Sequence, residues 1–131
     1  MNISTPYNHR QCQVCCHNFF THSPINFDII GEREILAKIV PTDKVEGYDG
    51  IMQGGIVTTL HDCAMLHCLF SHDIHAMTVS LASRFHSPIY IGKPIEIRAK
   101  WVKSKRNIHF LQSQIVQHGR ICSSAQSQFM S

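Results

Sequence analysis

The pattern of hydrophobic and polar residues along the chain predicts one long helix among several strands. In GIVTTLHDCAMLHCLFSH, residues 55–72, the side chains of Ile56, Leu60, Ala64 and Cys68 recur at every fourth position. This is the spacing of one helix face. Further apolar residues extend the hydrophobic surface nearly round the cylinder, which is typical of a helix that is buried on most sides.

One segment before this helix and four after it have the pattern of β-strands. Residues 76–85 alternate apolar with polar side chains and place Leu81 on the opposite face from Thr78. Such alternation indicates antiparallel strands with one face exposed to solvent. The dipeptide His118-Gly119 suits a tight hairpin turn with positive φ. The predicted strands are residues 33–40, 76–85, 93–103, 107–117 and 120–130.

These elements predict an α+β fold in which an antiparallel sheet wraps around one long central helix. The 131 residues fit a single domain, residues 1–131, with an irregular N-terminal segment at residues 1–25. A hydrophobic fraction of 44% excludes a disordered chain. A net charge of +3 is too weak to indicate nucleic-acid binding, and no apolar run is long enough to span a membrane.

The N-terminus has no apolar segment typical of an export signal. We therefore expect a cytoplasmic protein that does not bind membranes, with its six cysteines as free thiols.

Asp62 is an acidic residue inside this apolar helix. Burying a carboxylate costs several kcal/mol unless it is paired or hydrogen-bonded. Asp62 either shares a narrow polar line with Thr58 or Thr59, or faces a cleft; the apolar surroundings favour the cleft. Gly54 and Gly55 begin the same helix, where unpaired N–H groups and the positive end of the dipole can bind a carbonyl oxygen. They can equally be a flexible N-terminal turn.

Asp62 lies eight residues after Gly54, a distance of about 12 Å along a helix. One chain therefore cannot bring both residues to the same small reacting group. Two copies packed with antiparallel helices can do so, each supplying one half of the site. This distance predicts a homodimer, or a homotetramer formed from two dimers.

Two segments resemble the hotdog-fold acyl-CoA thioesterases, in the branch that includes the phenylacetate-pathway thioesterases and the human thioesterase-superfamily members. GYDGIMQGGIVTTLHD, residues 47–62, is similar to the family form G-[FY]-x-G-[IV]-x-H-G-G-[IVL]-x-x-T-L-x-D. MTVSLASRFHSPIYIGKPI, residues 77–95, resembles the next family segment. The resemblance covers roughly residues 26–130. It implies a hotdog fold and hydrolysis of an acyl-CoA thioester to the free acid and coenzyme A.

The resemblance also implies roles for individual residues. Gly54 matches the glycine whose amide polarises the thioester carbonyl. Asp62 matches the acid that acts as nucleophile or as general base for water, and Thr78 matches the Thr or Ser beside that acid. Gln53 stands where the family usually has His; it can donate a hydrogen bond but cannot carry a proton. Gly47 lies where some members carry Asn.

Further residues are candidates for binding the substrate. Gln53 and Gly55 flank the oxyanion-binding glycine, and Arg84 follows in the second family segment. Lysine and arginine side chains near one strand end can contact the phosphates of coenzyme A, or can form a solvated hairpin tip. These basic candidates are Lys103, Lys105 and Arg106, with Lys100 nearby.

The cysteines suggest two other chemistries, which the sequence does not favour. Cys12-x-x-Cys15 has the spacing of half a zinc site, but no second such pair follows. Cys63 and His67 stand at i and i+4, as a Cys–His nucleophile would, but no third orienting group is visible. We therefore expect no metal and no cofactor other than the coenzyme A of the substrate.

Two alternatives to a thioesterase stay open. One is a non-catalytic hotdog module that binds acyl-CoA or an acyl-carrier protein, with Gln53 as the sign of lost activity. The other is a scaffold in which the dimer serves only assembly. Turnover of a thioester separates the first interpretation from both alternatives.

Overall fold

The computed structural model describes residues 3–131, which form one α-helix and a six-stranded antiparallel sheet. Along the sheet the strands lie in the order β1-β2-β4-β5-β6-β3. The elements are β1 (Asp28–Gly31), β2 (Glu34–Ile39), α1 (Gly54–Phe70), β3 (Met77–Phe85), β4 (Ile95–Lys105), β5 (Ile108–Gln117) and β6 (Arg120–Met130). The predicted α+β architecture is confirmed.

Helix α1 packs against one face of the sheet and contacts β2 to β6. Leu60, Ala64 and Cys68 have no exposed surface, as their shared face predicts. Residues on other sides of the helix, including Met65 and Leu69, are also fully buried. The expectation of a helix covered on most sides is therefore correct, and the few polar residues of α1 have defined partners.

The hairpin between β5 and β6 confirms the turn that the sequence predicts. His118 has φ 54° and Gly119 has φ 72°, so both turn residues are left-handed. This matches the twist of the two flanking strands. The prediction of five strands omitted β1, which has only four residues, all exposed. Its hairpin with β2 turns at residues 32–33.

Strand β3 corrects the predicted alternation. Thr78 pairs with Phe129 and Leu81 pairs with Ser127, so three steps along β3 match two along β6. The extra residue forms a β-bulge around Val79, which shifts the phase of the strand. Because of the bulge, Thr78 and Leu81 face the same side, toward α1, instead of opposite sides.

The N-terminal segment packs across the core without forming a strand. Within residues 3–27 the only helical element is a short 3-10 turn at Tyr7–His9. Phe20, Phe27 and Cys15 from this segment are buried in the main core. Met1 and Asn2, which belong to the predicted irregular segment, lie outside the described residues. The helices of residues 3–131 include none with the length and hydropathy needed to span a bilayer.

Candidate active site

Two glycines begin α1 beside a glutamine cap. Gln53 is extended, and its Oε1 accepts a hydrogen bond of 2.8 Å from the backbone N–H of Ile56. Within residues 3–131 the N–H groups of Gly54 and Gly55 have no hydrogen-bond partner, and both residues are exposed. These donors lie at the positive end of the helix dipole. The start of α1 can therefore bind a carbonyl oxygen or an oxyanion.

Two glycines make room for the side chain of Gln53. A Cβ atom at Gly47 would lie 3.0 Å from Cα and Cβ of Gln53. A Cβ atom at Gly55 would lie 3.0 Å from Gln53 Oε1. Both distances are shorter than ordinary van der Waals contact. The two departures from the family pattern are thus in contact, since the space at Gly47 is bordered by Gln53.

The carboxylate of Asp62 is paired with a hydroxyl group from β3. Thr78 Oγ1 donates a hydrogen bond of 2.6 Å to Asp62 Oδ1. Asp62 is half-buried and Thr78 is exposed, so the pair is open to a ligand from one side. The bulge at Val79 turns Thr78 toward α1 and makes this contact possible. The geometry suits a carboxylate that is held in place while one oxygen stays available.

Three contacts along one face of α1 follow the inner side of β3. A Cβ atom at Gly54 would touch the Phe85 ring at 4.0 Å, Thr58 Oγ1 lies 2.8 Å from Ser83 Oγ, and Asp62 bonds to Thr78. The helix residues are spaced four apart and share one face. Asp62 therefore lies on the narrow polar line with Thr58, which the sequence offered as the alternative to a cleft. Gly54 and Asp62 lie at its ends, about 12 Å apart.

The outer edge of β3 ends the sheet and exposes large apolar side chains. Met77 is 77% exposed, Val79 55% and Phe85 58%. Strand β3 pairs with β6 on one side only within the described chain. A long apolar edge with unpaired backbone groups is a template for pairing with another strand. This edge borders the face of α1 that carries Gly54 and Asp62.

His61 precedes Asp62 on α1 and was not among the predicted site residues. It has no exposed surface, and its two ring nitrogens lie 2.5 Å from Ser113 Oγ and 2.7 Å from Ser123 Oγ. Ser123 Oγ also donates to the carbonyl of Arg84, so it accepts from His61 Nε2–H, and Ser113 donates to Nδ1. Burial lowers the pKa of His61 to about 4, so the ring is neutral at pH 7. This network fixes the helix turn that carries Asp62.

Among the described residues, no hydrogen bond or ion pair joins the basic candidates to the Asp62–Thr78 pair. Arg84 lines a groove of about 620 Å³ on the outer face of the sheet, together with Arg98 and Lys100. Lys103 Nζ lies 5.0 Å from the ring centre of Phe110. Two further candidates stand at the β4–β5 turn, exposed to solvent: Lys105 and Arg106.

Comparisons with known proteins agree with this architecture. The family model described as the thioesterase superfamily matches residues 49–122. No curated protein matches the chain by sequence. A crystal structure of a thioesterase superfamily protein is similar with a TM-score of 0.78 and 19% identity over 82% of this chain, which spans 54% of that protein.

Two other solved structures are similar over most of both chains. A hypothetical thioesterase from Streptococcus pneumoniae, crystallised with coenzyme A, has a TM-score of 0.76 and 15% identity over 81% of this chain and 86% of its own. The PaaI protein from the phenylacetic acid degradation operon of E. coli has a TM-score of 0.75 and 15% identity over 82% of each chain.

The S. pneumoniae protein was also crystallised as two single-residue variants. In one an Asp is replaced by Ala, and in the other a Thr is replaced by Ala, sixteen positions further on. Asp62 and Thr78 are separated by the same number of residues. At these identities the likeness shows that the folds agree.

Proposed function

This chain belongs to the thioesterase superfamily, and from that premise we propose that it hydrolyses an acyl-CoA thioester to a carboxylic acid and free coenzyme A. One observation carries the proposal. The hydroxyl of Thr78 holds Asp62 on the same helix face as the free N–H of Gly54. These are the two chemical groups that acyl transfer to water requires, a base or nucleophile and an oxyanion donor.

The reacting site is formed by two copies of the chain. Gly54 and Asp62 of one chain are about 12 Å apart, too far to act on one carbonyl. A second copy that pairs along the exposed edge of β3 would bring its Asp62 opposite the first copy's Gly54, because a two-fold axis places the two α1 helices in opposite directions. Burial of Met77, Val79 and Phe85 would stabilise this pairing. We infer a homodimer, which can assemble further into a homotetramer.

In this arrangement the Gly54 N–H donates a hydrogen bond to the thioester carbonyl oxygen and stabilises the negative charge that develops on it. Asp62 of the partner subunit acts on the carbonyl carbon in one of two ways. As a base it takes a proton from water, and the hydroxide attacks. As a nucleophile it forms an acyl anhydride that water then hydrolyses. Thr78 holds one carboxylate oxygen, and coenzyme A leaves as the thiolate and takes up a proton.

Binding of the coenzyme A portion is assigned to the basic side chains. The S. pneumoniae protein with a similar fold was crystallised with coenzyme A. The phosphates of that molecule require cationic or N–H donors. Lys103, Lys105 and Arg106 surround the β4–β5 turn, and Arg84 lies on the outer face of the sheet. We propose that the three residues at the turn contact the phosphates directly and that Arg84 attracts the same phosphates from a greater distance.

A second candidate is a non-catalytic module that binds acyl-CoA or an acyl-carrier protein. The contact of Gln53 with the Ile56 N–H favours it, because this side chain is committed to capping the helix. In that case Gln53 holds the helix start without polarising a thioester. The free N–H groups of Gly54 and Gly55 would still bind a carbonyl oxygen.

The two candidates separate in a turnover assay with acyl-CoA substrates of increasing chain length. The release of free coenzyme A and of the acid is followed by chromatography, because free cysteines in the chain would consume a thiol reagent. Asp62→Asn is expected to lower kcat by about 10²–10⁴-fold, the usual cost of losing a positioned base. The matched control is Asp28→Asn, since Asp28 is exposed at the far edge of the sheet.

The control variant should keep wild-type kcat, and both variants should keep the oligomer. An Asp62→Asn variant with wild-type kcat would refute the hydrolytic mechanism. Binding of acyl-CoA by the wild type without any turnover would support the module instead.

A further inference from the structure

The fold brings together cysteine and histidine side chains that are far apart in the sequence. Cys15 Sγ from the N-terminal segment lies 3.6 Å from Cys63 Sγ on α1. Cys63 Sγ lies 3.7 Å from Nδ1 of His67, one turn further along the helix. All three residues are buried. The sequence has no second Cys-x-x-Cys pair to complete a metal site with Cys12 and Cys15, but the helix places Cys63 and His67 beside Cys15.

The distance between the two sulfurs fits one edge of a small tetrahedron around a metal ion. Zinc binds sulfur at about 2.3 Å and nitrogen at about 2.0 Å in tetrahedral sites. The zinc–sulfur bond length places two sulfur ligands about 3.8 Å apart. The 3.6 Å between Cys15 Sγ and Cys63 Sγ agrees with this value to within a few tenths of an ångström, and one ring nitrogen of His67 lies within 4.8 Å of both sulfurs.

The surroundings of His67 are also those of a metal ligand. The Nδ1–H of His67 donates a hydrogen bond of 2.8 Å to the carbonyl oxygen of Cys63, which fixes the ring. A carbonyl partner of this kind orients metal-binding histidines in many proteins and leaves Nε2 with a free lone pair for the ion.

A second group shares Cys15 with the first. Ligand atoms of His9, Cys12 and Cys15 lie within 4.8 Å of one another. The backbone N–H of Cys15 donates to Cys12 Sγ at 3.4 Å, which would stabilise a thiolate there. His9 Nε2 is buried and, among the described residues, has no hydrogen-bond partner. A buried nitrogen without a partner indicates a missing ion or acceptor.

We propose that these residues, called the Cys/His cluster, bind one structural zinc ion through Cys15, Cys63 and His67 Nε2, and that the Cys12 side chain turns from the second group to the fourth position when the ion binds. Binding replaces three thiol protons by one Zn²⁺ and leaves His67 neutral. His9 stays beside the site and donates a hydrogen bond to a bound thiolate. The ion joins the N-terminal segment to α1 at the residue after Asp62. This proposal does not depend on the thioesterase reaction.

Metal content of the purified full-length protein is the first test. The chain is produced in zinc-supplemented medium, purified with a phosphine reductant and no chelator, and measured by plasma mass spectrometry. About one zinc ion per chain is expected, as for a closed site with four ligands. Metal-stripped protein titrated with Co²⁺ should show thiolate-to-cobalt charge transfer and tetrahedral d–d bands.

Single substitutions then identify the ligands. Cys12→Ser, Cys15→Ser and His67→Gln should each weaken zinc binding by at least about tenfold. Cys16→Ser is the matched control, because Cys16 Sγ donates to the carbonyl of His9 and belongs to neither group. This control should keep the full zinc content. Circular dichroism checks that each variant is folded.

Several results would overturn the proposal. One is a wild-type protein that carries no zinc and gives no tetrahedral cobalt spectrum, which decides the matter even if a variant fails to fold. Another is a Cys15–Cys63 disulfide found by peptide mass spectrometry in protein from zinc-supplemented medium that was purified without chelator or added reductant. Loss of zinc in His9→Gln but not in Cys12→Ser would overturn Cys12 as the fourth ligand.

Discussion

The buried His61 makes the protein sensitive to mild acid, and the size of the effect follows from its pKa. The folded pKa is about 4, lowered by burial from the usual 6.5. Between these values the unfolded chain binds a proton that the folded chain does not. Stability is therefore complete above pH 6.5 and falls as the pH drops toward 4. Each pKa unit corresponds to 1.36 kcal/mol, so the full loss is about 3 kcal/mol.

A fall from pH 7 to pH 5 is expected to cost about 2 kcal/mol of unfolding free energy from this group alone. His9 and His109 also have pKa values lowered by burial and add to the loss in the same direction. The contribution of His61 is isolated by His61→Gln, which has no proton to bind in this range. The variant should be less stable at pH 7, since the serine contacts change, but less dependent on pH.

Urea unfolding at pH 7 and pH 5, at one protein concentration, measures the difference. Far-UV circular dichroism is the preferred signal, because Trp101 lies 4.9 Å from the ring of His72 and 6.0 Å from that of His109, measured between ring centroids. Its fluorescence would report the titration of His109 as well as unfolding. If wild type and His61→Gln lose the same free energy within about 0.5 kcal/mol, the reasoning from burial is wrong.

Three further predictions follow from the site. Gln53→His should preserve or raise kcat in the acyl-CoA assay, because histidine can exchange a proton. Loss of the glutamine cap should lower the melting temperature by the equivalent of about 1 kcal/mol. A collapse of kcat in a folded variant would show that Gln53 has a role of its own. Gly47→Ala should lower the melting temperature, since its Cβ would lie 3.0 Å from Gln53 Cα, and an unchanged value would contradict this contact. Thr78→Val should lower kcat about tenfold, or ~1.4 kcal/mol, with KM little changed, because it removes the hydroxyl that holds Asp62; steady-state kinetics check this, and a change confined to KM would assign Thr78 to binding.

The proposed two-chain site is tested by its assembly state. Sedimentation at micromolar concentration should show a dimer or a dimer of dimers, because the distance of about 12 Å separates the two halves of the site in one chain. A monomer that still turns over acyl-CoA would contradict it.

Local patterns were sufficient to predict α1 and the β5–β6 turn. The fourfold spacing from Ile56 to Cys68 depends only on helix geometry, and the turn at His118-Gly119 depends only on which residues tolerate positive φ. Strand β1 was missed because it has only four residues, and its two adjacent isoleucines do not alternate with polar residues. The face of Thr78 was wrong because a bulge is defined by its partner strand, which periodicity does not include.

Site residues that belong to the family motifs could be predicted from the sequence. Residues that meet only through contacts between distant parts of the chain could not. The resemblance placed Thr78 beside an acid, and the structure has their side chains hydrogen-bonded; their catalytic roles stay predictions. The partners of His61 are 52 and 62 residues away, and Cys15 is 48 residues from Cys63. No local spacing connects such residues, so only the folded structure shows the contacts of His61 with Ser113 and Ser123 and the residues of the Cys/His cluster.

The bulge at Val79 divides β3 into two segments of opposite phase. Leu81, Ser83 and Phe85 keep one phase, and Thr78 keeps the other. Regular pairing of the same residues would place Thr78 on the opposite face from Leu81 and turn its hydroxyl away from Asp62. Loss of the residue at position 79 would instead give a regular strand in which the threonine stands two residues before Leu81 and keeps its side. In relatives of this chain, the number of residues between the threonine and the next core side chain therefore decides whether a bulge is needed to bring the hydroxyl to the acid.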